Sequence, residues 1–152
     1  MKNRIVTNNV NDTYKRIKKD YSVAAEKNIE QLFNQEERNT IKSNQIRTLY
    51  ALISPFFEKF NYGNVPNVNE AKKILRKTKI KLAYQVGRDS QMRNGNWNLG
   101  VKPFNDITNV LELIDIVLKS NDFIDDLKLY CDYFEALVAY HRYYETLREG
   151  RR

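Results

Sequence analysis

The sequence predicts an all-α protein, a compact bundle of about five helices with a long, largely buried C-terminal helix. Three observations predict it. Only five Gly and three Pro occur in 152 residues, well under the usual share of about 12% for the two together, so turns are few and helices long. Apolar side chains recur at three- and four-residue spacing through most of the chain, the signature of amphipathic helices. No strand-like alternation persists over more than a few residues, and no hairpin turn separates such runs. With 41% hydrophobic and 12% aromatic residues, the composition is that of a globular domain rather than a disordered chain. The length fits one domain with a core of its own. No internal repeat is present.

Residues 1–19 are polar and basic with weak periodicity, and read as a flexible basic extension preceding a single helical domain over residues 20–152. From Asp20, a plausible N-cap, Tyr21, Ala24, Ala25, Ile29, Leu32 and Phe33 define a first apolar stripe. Residues 34–39 read as a loop. The next helix opens at Thr40 or Ser43 and carries Ile46, Leu49, Tyr50, Ile53, Phe57 and Phe60 on one side, with Arg47 on the other. Pro55 falls inside that pattern and lacks a backbone donor, so the sequence leaves open a kink there or a new segment capped by Ser54.

Residues 61–67, with Gly63 and Pro66, break the pattern. A helix then runs over residues 68–77, with Ala71, Ile74, Leu75 and Thr78 inward and Lys72, Lys73, Arg76 and Lys77 outward. Residues 80–88 continue it or form a second helix, in which Gly87 permits a close approach or marks an end. Residues 90–100, holding Trp97, are loop-like. A further helix is expected over residues 103–120. The last helix runs over about residues 121–147, with a narrow polar stripe of Asp125, Lys128, Asp132, Glu135, Arg142, Thr146 and Glu149. The rest of its circumference is apolar or aromatic, which fits either a central core helix or one shared with another subunit.

Composition also restricts chemistry. No run of about 18 apolar residues offers a membrane span, and no apolar leader is evident. A lone Cys131 makes no internal disulfide, which with the absence of a leader points to the cytoplasm. One His and one Cys cannot build a Cys₂His₂ or His₃ metal site, and no cofactor is expected. Gly-rich phosphate loops, nucleophile elbows and His-Glu-x-x-His helices are missing from the sequence. His141, beside Arg142 among tyrosines, reads as packed, Cys131 as a small buried hydrophobe, and the acidic residues of the last helix as solvated.

Charge is unevenly placed. The chain carries +7 overall. Residues 72–93 alone hold eight basic side chains against Asp89, also +7, while residues 101–150 hold five basic and ten acidic ones. One part of the surface can therefore face a polyanion while another is acidic.

Two stretches are more specific than amphipathicity requires. One is Lys79-Ile80-Lys81-Leu82-Ala83-Tyr84-Gln85-Val86-Gly87-Arg88-Asp89. The other is Tyr130-Cys131-Asp132-Tyr133-Phe134-Glu135-Ala136-Leu137-Val138-Ala139-Tyr140, followed by His141-Arg142-Tyr143-Tyr144. With Ser43-Asn44-Gln45-Ile46-Arg47 they occur in order across residues 40–145, and together the chain resembles the small helical subunit of type III-A CRISPR interference (Csm) complexes. The resemblance implies a non-catalytic, all-helical protein that self-associates head to tail in an inner filament. It implies contacts with the backbone subunit, with the large multidomain subunit and with target RNA paired to guide RNA, and no membrane. By family motif it assigns RNA-contacting roles to Arg47, Lys79, Lys81, Tyr84 and Arg88. The chain departs from the family pattern in its long basic N-terminal stretch, in Pro55 and in residues 90–100. Two rivals stand beside this reading: a free-standing dimeric helical DNA-binding regulator, whose turn would have to lie near residues 62–67, and an enzyme with a carboxylate site.

Overall fold

A computed structural model describes residues 7–61, 67–89, 92–93, 96–97 and 100–150. Six α-helices follow one another: α1 Val10–Phe33, α2 Ser43–Asn61, α3 Val68–Asp89, α4 Val101–Thr108, α5 Glu112–Lys119 and α6 Phe123–Gly150. A 3-10 turn, Glu37–Asn39, lies between α1 and α2. Met92–Arg93 pairs antiparallel with Asn96–Trp97. That two-residue ladder is the one hydrogen-bonded strand pair among the described residues, and it lies in the stretch expected to be loop. The all-α class stands.

α1 begins earlier than the sequence periodicity suggested. Asn9 caps it, its Oδ1 accepting from the amides of Asn11 (2.8 Å) and Asp12 (3.3 Å). Residues 10–19, read above as part of a flexible extension, are helical, and Thr13 and Ile17 are buried. The weak periodicity has a local cause. Asp20 has an extended backbone (φ −166°, ψ 102°) that kinks the helix, so the apolar stripes on either side are out of phase. Asp20 is still an N-cap, as expected. Its Oδ1 accepts from the amides of Ser22 at 3.0 Å and Val23 at 3.3 Å and opens the second half of α1. Hydrogen bonds from the Ser22 hydroxyl and then the Val23 amide hold the Asp20 carboxyl below its usual range. Residues 1–6 of the expected extension lie outside the described residues.

α2 is continuous through Pro55. Pro55 cannot donate to the carbonyl of Ala51, but both residues are on the exposed side, where water can serve that carbonyl. The break expected at residues 61–67 falls mostly outside the described residues, and so does the turn a DNA-binding helix pair would need there. α3 is one unbroken helix. Its buried arc is narrow: Ala71, Leu75, Thr78 and Leu82. Ile74, expected inward, is exposed, and Ile80 is 70% exposed. α3 packs on α2, α4 and α5 along one edge only, and a helix at the margin of a bundle buries less than half its girth.

α6 is the centre. It packs most extensively on α1 and α2 and also on α5. Leu127, Phe134 and Leu137 are fully buried. Phe134 meets the rings of Tyr50, Phe104 and Tyr130 at centroid separations of 6.1, 6.4 and 6.2 Å. Its wide apolar circumference is thus covered within one chain as far as Leu137. Beyond that, Tyr143 and Leu147 are exposed.

The segment expected as a single helix over residues 103–120 is divided into α4 and α5 by Asn109, which adopts the left-handed conformation (φ 59°, ψ 29°). Side chains from four other places hold that elbow. The Thr13 hydroxyl donates to Asn109 Oδ1 at 2.6 Å, and Asn109 Nδ2 donates to the carbonyl of Asn8 at 3.0 Å. The Tyr133 hydroxyl donates to the Thr108 carbonyl at 2.8 Å while accepting from Asn28 Nδ2 at 2.8 Å. Tyr130 donates to the Val110 carbonyl at 2.7 Å. Asn105 Oδ1 receives the Leu111 amide at 2.9 Å, and its Nδ2 donates to the Glu112 carboxylate at 3.2 Å. The backbone groups freed by the break are thereby satisfied in the interior. At the start of α4, Gly100 sits in close packing: a Cβ there would stand 2.7 Å from Gln45 Oε1, which would have to swing aside, and 3.3 Å from Ile41 Cα.

The far end of α6 is fastened to α1 and α2. His141 is buried and its Nε2 lies 2.7 Å from the Ile41 carbonyl, so the neutral ring carries its proton on Nε2. Arg148 donates to the Phe33 carbonyl at 2.8 Å and to Thr40 Oγ1 at 3.2 Å, with its guanidinium 4.6 Å from the Phe33 ring centroid. Ser43 donates to Glu145. At the other end, Asp126 is buried, accepting from the Tyr14 hydroxyl at 2.7 Å and pairing with Lys18 at 3.4 Å. Burial alone would raise the Asp126 carboxyl, but hydrogen bonds from Ser120, Tyr14 and Lys18 outweigh it and hold the group below its usual range.

Asn109→Ala should lower stability by about 2–4 kcal/mol, because Ala is strained at that φ and leaves Thr13 and Asn8 without their partner. Asn109→Gly, which keeps the conformation, should cost less. Urea unfolding of the two variants measures both, and equal losses would rule out backbone strain as a component. His141 supplies a second test. Burial lowers its pKa from 6.5, so the unfolded chain binds the extra proton first. Stability is therefore expected to fall as pH drops below about 6.5, and His141→Gln should flatten the decline between about pH 7 and 5 in pH-dependent denaturation.

Candidate nucleic-acid interface

The basic residues of α3 divide by where the helix meets the bundle. Two are tied into the fold. Lys72 is half-buried with its ammonium 5.3 Å from the centroid of the Phe123 ring. Lys79 pairs with Asp115 of α5 at 2.7 Å. Lys73, Arg76, Lys77, Lys81 and Arg88 are exposed on the outer side. Within that basic surface stand the large non-charged side chains of Ile80, 70% exposed, and Tyr84, 63% exposed. Arg88 lies one turn after Tyr84 with its guanidinium 5.9 Å from the ring centroid, a cation–π pair on the helix surface.

A groove of about 200 Å³ runs between α2 and α3, lined by Ala51, Pro55, Phe56, Ile74 and Thr78, with Lys59 and Lys81 at its rim. Arg47 is exposed one turn before Ala51, on the line Arg47, Ala51, Pro55, Lys59. Lys81, Tyr84 and Arg88 follow one another at spacings of three and four on α3, so the α2–α3 pair gathers Arg47, Lys81, Tyr84 and Arg88 along one side. It does not gather Lys79, whose ammonium is turned toward α5. Lys59 and Ile80 join the surface without having been picked out as site residues. The four-residue line from Arg47 is a sequence signal for Lys59. Nothing in the sequence marks Ile80, whose apolar character predicted burial.

Other chemistry-bearing side chains are committed elsewhere. The Cys131 thiol is buried, and burial raises its pKa well above the ordinary value. His141 is spent on the Ile41 carbonyl. On α6, Glu135, Arg142 and Glu149 are exposed as expected, but Asp132 is half-buried and Asp126, read from sequence as solvated, is buried because Tyr14 and Lys18 of α1 reach it.

The model of the family described as Csm2 type III-A matches residues 18–146, which is most of the chain. The chain belongs to that family. It is also similar to the CRISPR system Cms protein Csm2 of Enterococcus italicus, at 34% identity over 110 residues, covering 70% of this chain and 69% of that protein. Family membership makes it a small subunit of the type III-A Csm class, associated with other subunits of the complex. The matched span contains all of the second half of α1 through most of α6, and so includes the whole basic surface of α3. No described helix is long and apolar enough to cross a membrane.

Because Lys79 and Asp115 are both more than a third exposed, at 38% and 48% for their side chains, Lys79→Ala should cost no more than about 1 kcal/mol. Thermal unfolding of the variant checks this.

Proposed function

We propose that this chain is a non-catalytic subunit of the inner filament of a type III-A CRISPR ribonucleoprotein. In this role it binds the backbone of target RNA within the guide–target duplex, in the cytoplasm, during antiviral defence. The observation that carries the RNA assignment is the outer surface of α3. Five exposed basic side chains, Lys73, Arg76, Lys77, Lys81 and Arg88, share one helix with exposed Tyr84, and Arg47 stands at the neighbouring edge of α2. Such a surface suits phosphates, whose positions are independent of sequence, and it carries no built set of donors for reading base edges. Arg88 can hold a phosphate through two parallel N–H donors, while Lys73, Lys77 and Lys81 act as point charges. Tyr84 beneath the Arg88 guanidinium supports that orientation. Lys79 acts in this scheme through the α3–α5 contact rather than on RNA.

The acidic balance of residues 101–150 supports protein contacts by that part of the chain, with the backbone and large subunits. The lone thiol is buried, and the lone imidazole is buried against the Ile41 carbonyl, which supports assigning the chemistry of the assembly to its other subunits.

Arg88→Ala should weaken RNA binding to a similar degree across sequences and reduce the slope of log affinity against log salt by roughly one unit. Filter-binding titrations at several salt concentrations test this. An unchanged slope in a folded variant would remove Arg88 from the interface.

A further inference from the structure

Gly87 is a residue of the α3 surface whose identity the fold does not explain. It lies inside the last turns of α3 with an ordinary helical backbone, so no left-handed conformation demands glycine. A Cβ built on it meets nothing within 4 Å, so no intramolecular packing demands it either. Glycine at an exposed helical position disfavours the helix relative to alanine. At 100° per residue Gly87 falls in line with Ile80 and Ala83 on the outermost side of α3, beside Tyr84 and next in sequence to Arg88. The result is a low strip, bare at Gly87 and one methyl high at Ala83, next to the Arg88–Tyr84 pair and the lysines of the preceding turns.

We propose that Gly87 is a binding residue of this surface: the point where the RNA sugar–phosphate backbone approaches the helix most closely. The inference rests on the RNA reading given above. Without a side chain at 87, a phosphate can settle against the helix surface itself. That brings it within short range of the Arg88 guanidinium without requiring the neighbouring long side chains to extend and lose their freedom. A helix carrying a larger residue there would hold the backbone off by the depth of that side chain, and every charge on the surface would act from farther away.

The test uses the assembled complex loaded with guide RNA and titrated with target RNA, comparing the parent with Gly87→Ala, Gly87→Leu and Arg88→Ala. Alanine should raise the melting temperature of the free chain, since it favours the helix and nothing obstructs it, yet weaken target binding several-fold. Leucine should weaken it further, by about tenfold or more. A loss of affinity in a more stable protein has no structural explanation other than the surface itself. Binding by both Gly87 variants at the parental affinity, with Arg88→Ala impaired, would overturn the Gly87 inference and leave the RNA reading intact. Parental binding by all three would overturn the RNA reading with it. Loss of subunit association in Gly87→Leu, with RNA affinity unchanged in the complexes that do form, would reassign the strip to a protein partner and overturn the inference.

Discussion

A helix break in the interior of a small bundle exposes carbonyls and amides where water cannot serve them, and the rest of this fold is arranged around satisfying one such break. Asn109 turns the chain between α4 and α5 in a conformation few residues adopt. Thr13 and Asn8 reach it from the start of α1, and Tyr130 and Tyr133 reach its neighbouring carbonyls from α6. The elbow therefore fixes the register of three parts of the chain at once. α1 cannot slide without losing Thr13 and Asn28, and α6 cannot rotate without withdrawing both tyrosines. Low dielectric makes the arrangement demanding: each of these groups costs more unpaired inside than outside.

That registration determines where the basic surface stands. With α4 and α5 turned on each other, α3 packs across both and also on α2. It buries only the arc of Ala71, Leu75, Thr78 and Leu82. The narrow arc is why five basic side chains, an exposed isoleucine and an exposed tyrosine share one outer face. It is also why Lys79, one residue from Thr78, is drawn to Asp115 instead. A helix packed on two sides would have no such surface; α6, packed on three helices, has only a thin polar stripe.

The α-helical class, the long final helix, the Asp20 cap and the buried roles of Cys131 and His141 are legible in the sequence because each rests on local spacing or on scarcity. The early start of α1 is not, because the kink at Asp20 shifts the phase of its apolar positions and hides a helix that packs well on both sides. Nor is the split at Asn109, since an asparagine within an apolar stripe looks like one more helical position until Thr13 and Tyr133 are brought to it from far along the chain. On the candidate site, Arg47, Lys81, Tyr84 and Arg88 do fall along one side of the α2–α3 pair, and Lys59 joins them. Lys79 leaves the group because its partner Asp115 lies 36 positions away.

By itself the sequence determines the helices, the concentration of positive charge within residues 72–93 and its separation from the acidic C-terminal third. These are properties of neighbours along the chain. Only the tertiary structure decides which of those charges the bundle draws in. Exposure of Lys77 and Arg88, engagement of Lys72 and Lys79, and the bare position at Gly87 all depend on which arc of α3 the bundle covers. The spacing of Ala71, Leu75 and Thr78 already marks most of that arc, whereas the exposure of Ile74 and Ile80 and the ties from Lys72 to Phe123 and from Lys79 to Asp115 are set by long-range packing against α2, α4 and α5.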